Sequence, residues 1–594
     1  MIHEEAHCRW RGARSSAKMN KETGSPGIAW REWSKESFEE AMISNRLVLL
    51  DLSAEWCHWC HVMDDTTYSD RAVIAQINEN FIPIRVDIDE RPDISERYNR
   101  GGFPTTAFLS DMGESVWGAT YIPPVDMKRI IASILAAKAA GEVDAALERS
   151  RMQYLDISTA IGQRTPPDRA FVDSLFEDIF SAYDVEHGGF GLYPKFPHPD
   201  VLDLLMIRYA QTGDQEIADA VIHTLDRMIE GLYDPAEGGV FRYSVTRDWK
   251  EPHYEKMLET NLGFLKNLVR AAITLGKPSY QETARGVANY LLGTLRDLSS
   301  GGFFSSQDAD EEYYRLTLDE RASRGAPPVV KAIYGGWNSE AVATLAEAGA
   351  VLGEPEWVQA AKDAWEYDLS KLWDGKHGLL RHAEGKRLFL FEDQVSFLEA
   401  LLAIYELTGE DSLLDLGKVL ANRVKSHFAH PEGGYSDIVK DSNAVGELAE
   451  QRRSLVSNSK WARASALLAA ASNEPEPARM QRGIIDSFSH KDAEMYGLFS
   501  SSYVVAWSVL EEGPSIVEVR SDKPLDAITN ELWTVAKRAM KPSTLVVMKP
   551  SGPDLPDGRT GSSAMVCASD GCSVQIRDPK ALANRLRGVQ TSQV

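Results

Sequence analysis

Near the start of the chain, short apolar runs alternate with amphipathic stretches. Residues 47–52 form an apolar run broken only by Asp51, and two similar runs follow at 81–89 and 105–109. Apolar runs of this length, separated by helical stretches, are typical of strands buried in a parallel or mixed sheet. We therefore predict an α/β domain over residues 28–150.

Residues 165–510 have an almost wholly helical pattern, in which aliphatic residues recur at three- and four-residue spacing. A Gly-rich turn punctuates this region in six copies: Glu186–Phe190, Ala236–Val240, Ser300–Phe303, Lys376–Leu379, Pro431–Tyr435 and, more faintly, Met495–Leu498. Each interval accommodates a pair of helices, so the repeats predict either an open α-solenoid or a closed (α/α)6 toroid. The toroid is favoured because the turns carry clusters of acidic, histidine and aromatic residues, as a rim around a central cavity would.

The pattern changes again at the C-terminal end. Strand-like runs at 515–519 and 543–548 flank a helical stretch at 524–540, and a further strand and a final helix follow. We predict a small α/β element over residues 514–594. The expected architecture is therefore multidomain, with an α/β domain, an all-α toroid and this smaller element.

Charge and composition narrow the function classes. The net charge is −24 and no basic stripe is present, so we expect no nucleic-acid partner. No apolar run reaches the roughly 18 residues that a spanning helix needs, so we expect no membrane partner. Residues 1–27 lack the apolar core of a signal peptide, which predicts a disordered extension and a cytoplasmic location. Five cysteines in 594 residues do not form a disulfide scaffold.

Two of the cysteines lie in the segment Cys57-His58-Trp59-Cys60, directly after the first strand. Thiols at this spacing cycle between a dithiol and a disulfide, and a helix starting there lowers the pKa of the first thiol. An imidazolium at His58 would favour the thiolate further. Three alternatives stay open: the c-type haem motif that His61 completes, a zinc site, and a domain that keeps its cysteines without redox turnover.

The stretch from Val48 to Cys60 resembles the active-site strand of thioredoxin. The resemblance implies that Cys57 is the attacking thiol, that Cys60 resolves, and that Asp51 is buried beneath the disulfide and assists proton transfer from the resolving thiol. The segment Gly102-Phe-Pro104-Thr resembles the loop in which thioredoxins place a cis-proline opposite the two cysteines. These matches favour redox chemistry over the haem and zinc interpretations.

The helical region has its own candidate residues, which are His253, Glu255, Lys256, Asp308, Asp310, Trp337 and Asn338. His253 paired with one of the two aspartates could carry acid/base chemistry on a sugar ring. Two carboxylates among Glu255, Asp308 and Asp310 could hydrolyse a glycosidic bond, and Trp337 could stack on a sugar. The alternative is that these polar residues form a hydrogen-bonded plug that ties the loops together.

The order of these unusual peptides behind the CxxC segment resembles the spermatogenesis-associated protein 20 family. That resemblance covers nearly the whole chain and implies a thioredoxin-like domain joined to a six-hairpin barrel, similar to N-acylglucosamine 2-epimerases and six-hairpin glycosidases. The main hypothesis is a thiol-disulfide oxidoreductase module whose barrel is a platform for a protein disulfide substrate or redox partner.

The second hypothesis is a carbohydrate-active or carbohydrate-binding barrel that takes a sugar-like small molecule, and the third is a binding scaffold without catalysis. No cofactor or metal is expected. Cys567 and Cys572 are expected to be either a local disulfide or neighbouring thiols.

Overall fold

The computed structural model describes residues 27–149, 166–521, 527–550, 562–568 and 571–586. The extension expected to be disordered lies outside the described residues, apart from Gly27. The chain divides into two compact units. The first holds the described residues up to 149 together with the short segments 326–328 and 443–448, and the second holds the remainder.

The first unit is built on a four-stranded mixed sheet in the order β2-β1-β3-β4. Its elements are α1 (Lys35–Ser44), β1 (Leu47–Ser53), α2 (His58–Thr66), α3 (Arg71–Asn80), β2 (Phe81–Asp87), α4 (Pro92–Tyr98), β3 (Thr105–Leu109), β4 (Ser115–Ala119) and α5 (Pro124–Ala139). β1 pairs parallel with β2 and antiparallel with β3. The apolar run of β1 is buried on both faces, as expected of a central strand. The unit is thioredoxin-like.

The helices of the second unit alternate between an inner and an outer layer. The inner helices are α7 (Pro199–Thr212), α9 (Leu258–Thr274), α11 (Gly335–Leu352), α13 (Phe391–Thr408), α15 (Leu455–Ala471) and α17 (Ser501–Glu512). The outer helices are α6 (Arg169–Ser181), α8 (Gln215–Leu232), α10 (Ser279–Tyr290), α12 (Pro355–Tyr367), α14 (Asp411–Phe428) and α16 (Pro477–Ile485). Each inner helix packs against the next, and α17 returns to α7. The ring is closed, which confirms the (α/α)6 toroid and excludes the open solenoid.

The Gly-rich turns connect an outer helix to the next inner helix. Bridges such as Tyr183–Phe190 and Tyr233–Val240 close the turns across their ends. Gly238 has a φ of 77°, and a Cβ there would come within 2.2 Å of the carbonyl oxygen of Gly286 on α10. The turn therefore requires glycine both for its backbone conformation and for its close approach to the neighbouring helix.

Shorter elements lie between the helices. They are the strands Tyr243–Ser244, Pro252–His253, Lys256–Met257, Ser306–Gln307, Val329–Val330, Trp373–Asp374 and Leu379–Leu380, the α-helices Glu311–Tyr314, Leu318–Arg321 and His490–Met495, the π-helical segments Leu291–Leu295 and Asp368–Leu372, and the 3₁₀ turns Gly446–Ala449 and Gly497–Ser500. Of these, Gly446–Ala449 spans the boundary between the two units.

The C-terminal element of the second unit contains β5 (Ser515–Ser521), α18 (Ala527–Arg538), β6 (Thr544–Pro550), β7 (Ser563–Ala568), β8 (Gly571–Cys572) and α19 (Pro579–Leu586). β5 and β6 are parallel with α18 between them, which is the predicted βαβ unit. The element packs on α13, where the Lys537 ammonium lies 2.7 Å from the Glu406 carboxylate. Cys567 and Cys572 face each other across β7 and β8 and form a disulfide.

No helix in the described part of the chain combines the length and the apolar character needed to cross a membrane.

Candidate functional site

The CxxC segment lies where β1 ends and α2 begins. Cys57 is the N-cap of α2, and Cys57 and Cys60 form a disulfide. The backbone N–H of Cys60 donates a hydrogen bond to Cys57 Sγ over 3.2 Å. In the reduced state the same donor and the positive end of the helix dipole would stabilise a thiolate at Cys57. Both cysteines are buried, whereas His58 and Trp59 between them are exposed.

Asp51 lies six residues before Cys57, in the middle of β1, and its side chain is buried. Burial raises the pKa of its carboxyl to about 6, and the nearby Arg85 guanidinium offsets this only in part. The Arg85 Nε donates to Asp51 Oδ2 over 2.7 Å, and the Tyr68 hydroxyl donates to Asp51 Oδ1 over 3.2 Å. A buried carboxyl with a raised pKa can exchange a proton near neutral pH.

Arg85 is a site residue that the sequence analysis missed. It lies opposite Asp51 in the parallel register of β1 and β2, so both side chains leave the sheet on the same face. Its guanidinium also pairs with Asp64 on α2 and lies 4.4 Å from the ring centroid of Trp30. The signal was a lone arginine within an apolar strand, because such a charge needs a buried partner.

The loop before β3 carries a cis peptide bond between Phe103 and Pro104, as the resemblance to thioredoxin implied. Thr105 pairs with Leu52 in the antiparallel register of β3 and β1. Pro104 and the CxxC segment therefore lie at the same edge of the sheet, because β1 runs towards that edge and β3 runs away from it. Trp59 contacts Tyr121, with ring centroids 5.2 Å apart.

The candidate residues of the helical region do not gather around one cavity. Lys256 is fully buried, and its ammonium bonds Asp234 Oδ2 and the Gly238 carbonyl oxygen, each over 2.7 Å. Lys195 makes the same pair of contacts with Asp184 and with the carbonyl oxygen of Gly188. Each lysine thus bridges the aspartate and a glycine carbonyl of one Gly-rich turn and stabilises that turn.

Asn338 also holds a turn, through an arrangement that recurs in four inner helices. Its Oδ1 accepts from the Phe303 N–H over 2.9 Å, and its Nδ2 donates to the Asp368 carboxylate over 2.8 Å. The fourth residue of each of these helices contributes the same kind of amide to the end of a turn. The four are Asn261 on Val240, Asn338 on Phe303, Gln394 on Leu380 and Asn458 on Tyr435.

We call these four residues the amide clamps. Only Asn338 was a candidate from the sequence, and the signal for the others was an amide at the fourth position of these four inner helices.

The remaining candidates form two smaller groups. His253 Nδ1 lies 3.5 Å from the buried carboxylate of Glu255, and its ring stacks on Tyr243 at 4.5 Å. Asp310 caps the short helix Glu311–Tyr314 and pairs with Arg324. The Asp308 side chain is buried and accepts from the Ala309 N–H.

Trp337 packs edge-on against Tyr334. Each of these side chains contacts a neighbouring protein group, whereas Glu255 Oε2 is buried without a hydrogen-bond partner among the described residues.

A different set of polar residues lines a cavity of about 250 Å³ on the axis of the toroid. All six inner helices contribute to its wall, and residues 536–546 of the C-terminal element close part of it. The charged lining includes Asp200, Lys266, Arg270, Glu340, Glu399 and Lys460. None of these residues was a candidate from the sequence alone. Their signal was a stripe of charged residues at helical spacing on helices that are otherwise apolar, which is typical of helices facing a wet cavity.

Comparisons with known proteins match the first unit to thioredoxin-like proteins and a longer part of the chain to a larger relative. Residues 12–159 match the family model Thioredox_DsbH, described as a protein of unknown function, DUF255. Spermatogenesis-associated protein 20 of Mus musculus is 30% identical over 346 residues, which cover 51% of this chain and 43% of that protein. The chain therefore spans less than half the length of this curated relative.

A thioredoxin H-type of Picea mariana is 28% identical over 106 residues, covering 17% of this chain and 78% of the thioredoxin. The crystal structure of a D-mannose isomerase matches 57% of this chain and 98% of its own at 11% identity, with a TM-score of 0.44.

Proposed function

We propose that this protein is a thiol-disulfide oxidoreductase that acts through Cys57 and Cys60 on a protein disulfide. The observation that carries the proposal is the position of Cys57 at the N-terminus of α2, where the Cys60 N–H already points at its sulfur. This arrangement favours the thiolate, which is the nucleophile in disulfide exchange. Asp51 and Pro104 at the same edge of the sheet support the proposal.

In the reduced enzyme, the Cys57 thiolate attacks one sulfur of the substrate disulfide. A mixed disulfide forms between Cys57 and the substrate, and the other substrate sulfur leaves as a thiolate. Cys60 then loses its proton to Asp51 and attacks Cys57 Sγ, which releases the second substrate thiolate. The substrate gains two electrons, Cys57 and Cys60 become a disulfide, and an external dithiol must reduce them again.

The roles assigned to the two cysteines can be tested with full-length variants. We expect Cys57→Ser to abolish the reduction of insulin in an assay with dithiothreitol as the electron donor. Cys60→Ser should instead accumulate a mixed disulfide with the substrate, which mass spectrometry detects. Cys572→Ser is the matched control, because it removes a cysteine from the other disulfide, and should retain activity. Full activity in Cys57→Ser would refute the proposal.

We further propose that the helical unit is the platform on which the protein substrate docks. An exposed apolar group before α7 supports this role, because such groups often mark interaction sites. It includes Tyr193, which is 74% exposed, and Leu192 beside it. Tyr193→Ser should raise KM for a protein disulfide and leave KM for oxidised glutathione unchanged. An equal change in both KM values, or none, would contradict the platform.

A further inference from the structure

The axial cavity of the second unit is the feature that the redox proposal leaves unused. Its charged groups are mostly paired with one another. Asp200 lies 2.8 Å from Lys460, Asp203 lies 3.0 Å from Lys266, and Glu399 pairs with Arg463. Further pairs join Arg270 to Asp203 and Glu347, and Lys537 to Glu406. The cations on the inner helices therefore already have carboxylate partners.

Among the charged residues that the inner helices contribute to the cavity wall, Glu340 on α11 is the exception. It lines the cavity and makes no hydrogen bond or ion pair with any residue in the described ranges. Burial raises the pKa of its carboxyl to about 7. The charged groups that face it are Lys460 on α15, Lys266 and Glu259 on α9, and Asp200 on α7. The two lysines lower this pKa and the two carboxylates raise it, so Glu340 is a carboxyl that lacks a cation of its own.

A second group in the same wall also lacks a partner. Ser459 on α15 is fully buried, and its Oγ has no hydrogen-bond partner among the described residues. Leaving a buried hydroxyl without a partner costs about 1–3 kcal/mol. The wall of this cavity of about 250 Å³ thus holds an unpaired carboxyl and, buried behind its surface, an unsatisfied hydroxyl. A ligand that offers a cation and a second polar group would satisfy both.

We propose that this axial cavity binds a small organic amine, whose ammonium group pairs with Glu340 and whose second polar group bonds Ser459. An inorganic cation fits less well, because the described residues contain no group of three or more metal-ligating side chains. An anion would have to compete with carboxylates already seated on the cations of the inner helices, which leaves it Lys541 of the C-terminal element, a lining residue with no ion pair among the described residues. A neutral polyol would bond Ser459 but would leave the Glu340 charge uncompensated.

Isothermal titration of the full chain with 1,4-diaminobutane tests this site, with 1,4-butanediol as the probe of equal length and no charge. We expect saturable binding of the diamine at pH 8 and at least tenfold weaker binding of the diol. D-glucose is the probe for a neutral polyol and should also bind more weakly than the diamine. Binding of the diol or of glucose as tight as that of the diamine would overturn the proposal, as would an absence of diamine binding.

Variants locate the site. Glu340→Gln should weaken diamine binding at least tenfold, whereas Glu366→Gln on the exposed side of α12 should not change it. Ala343→Leu fills the cavity without touching a charge and should also abolish binding. Wild-type binding should weaken from pH 8 to pH 6 as Glu340 gains a proton, and Glu340→Gln should lack this dependence. Unchanged binding in both Glu340→Gln and Ala343→Leu would place the amine elsewhere.

Discussion

The buried carboxyl beneath the CxxC is defined by the three groups that touch it. Arg85 and Tyr68 bond Asp51 directly, and Asp64 shares the Arg85 guanidinium. Because the arginine is divided between two carboxylates, it does not fully compensate the burial of Asp51, and the pKa of Asp51 stays raised at about 6. Proton transfer at this residue should therefore change across the range in which enzymes are usually assayed.

We predict that the resolving step speeds up as pH rises through about 6, because Asp51 then becomes able to accept the Cys60 proton. In Asp51→Asn this inflection should disappear and the step should slow by about tenfold or more at pH 7. Single-turnover decay of the mixed disulfide measures it. Asp64→Asn is the control: it keeps Asp51 but removes a neighbouring negative charge, so the inflection should persist at lower pH. A wild-type inflection in Asp51→Asn would contradict the role.

At the scale of elements, the helical unit repeats one connection between an outer helix, a Gly-rich turn and the next inner helix. Several of the turns begin with an aspartate whose carboxylate accepts hydrogen bonds from backbone N–H groups of the same turn, as Asp184 and Asp374 do. A buried or half-buried cation then neutralises the aspartate, as Lys195 and Arg381 do. In four of the turns an amide clamp fixes the far end. The polar residues at these turns thus connect the hairpins, which explains why they are rich in charge without forming a single pocket.

We predict that Asn261→Ala lowers the free energy of unfolding of the second unit by about 2–4 kcal/mol, because the buried N–H and carbonyl groups of Val240 lose their hydrogen-bond partner. Urea unfolding followed by circular dichroism measures the change. Gln215→Ala at the exposed start of α8 is the control and should cost less than about 0.5 kcal/mol. Equal midpoints for the two variants would show that the amide clamps do not stabilise the turns.

For the whole molecule, buried carboxyls make stability depend on pH in two directions. Burial raises the pKa of Asp368 and Glu340 to about 7 and that of Asp87 to about 6. Their contribution to the free energy of unfolding is complete below the pKa that each has in the unfolded chain. It is lost as the pH rises from that value through the folded pKa of about 6 to 7. Glu347 has the opposite behaviour. Burial alone would raise its pKa, but Arg270 and Lys537 lower it to about 2, so its contribution is lost in acid.

We therefore predict that Tm is highest at about pH 4 to 5, where Glu347 is already ionised and the raised carboxyls are still protonated in the folded state, and that it falls until about pH 7. Asp368→Asn should flatten this fall, because its carboxyl titrates there while hydrogen-bonded to Asn338 and Ser339. Differential scanning calorimetry at several pH values measures the slope. Asp415→Asn changes the net charge equally at an exposed position and should leave the slope unchanged. An unaltered slope in Asp368→Asn would refute the assignment.

The sequence by itself determined the elements and their class. The apolar run of β1, the Gly-rich turns and the strand-like runs after residue 514 are local patterns, so they predicted an α/β domain, a ring or solenoid of helical hairpins and a C-terminal βαβ element. The resemblance of the CxxC segment to thioredoxin predicted that the first domain is thioredoxin-like. Only the tertiary structure decided which polar residues meet. Arg85 contacts Asp51 because the register of β1 and β2 places them opposite each other. Lys256 forms an ion pair with Asp234, and Glu340 faces the axis because the six inner helices form a closed ring. Ring closure and cross-strand register depend on contacts distant in sequence, and no local pattern encodes them.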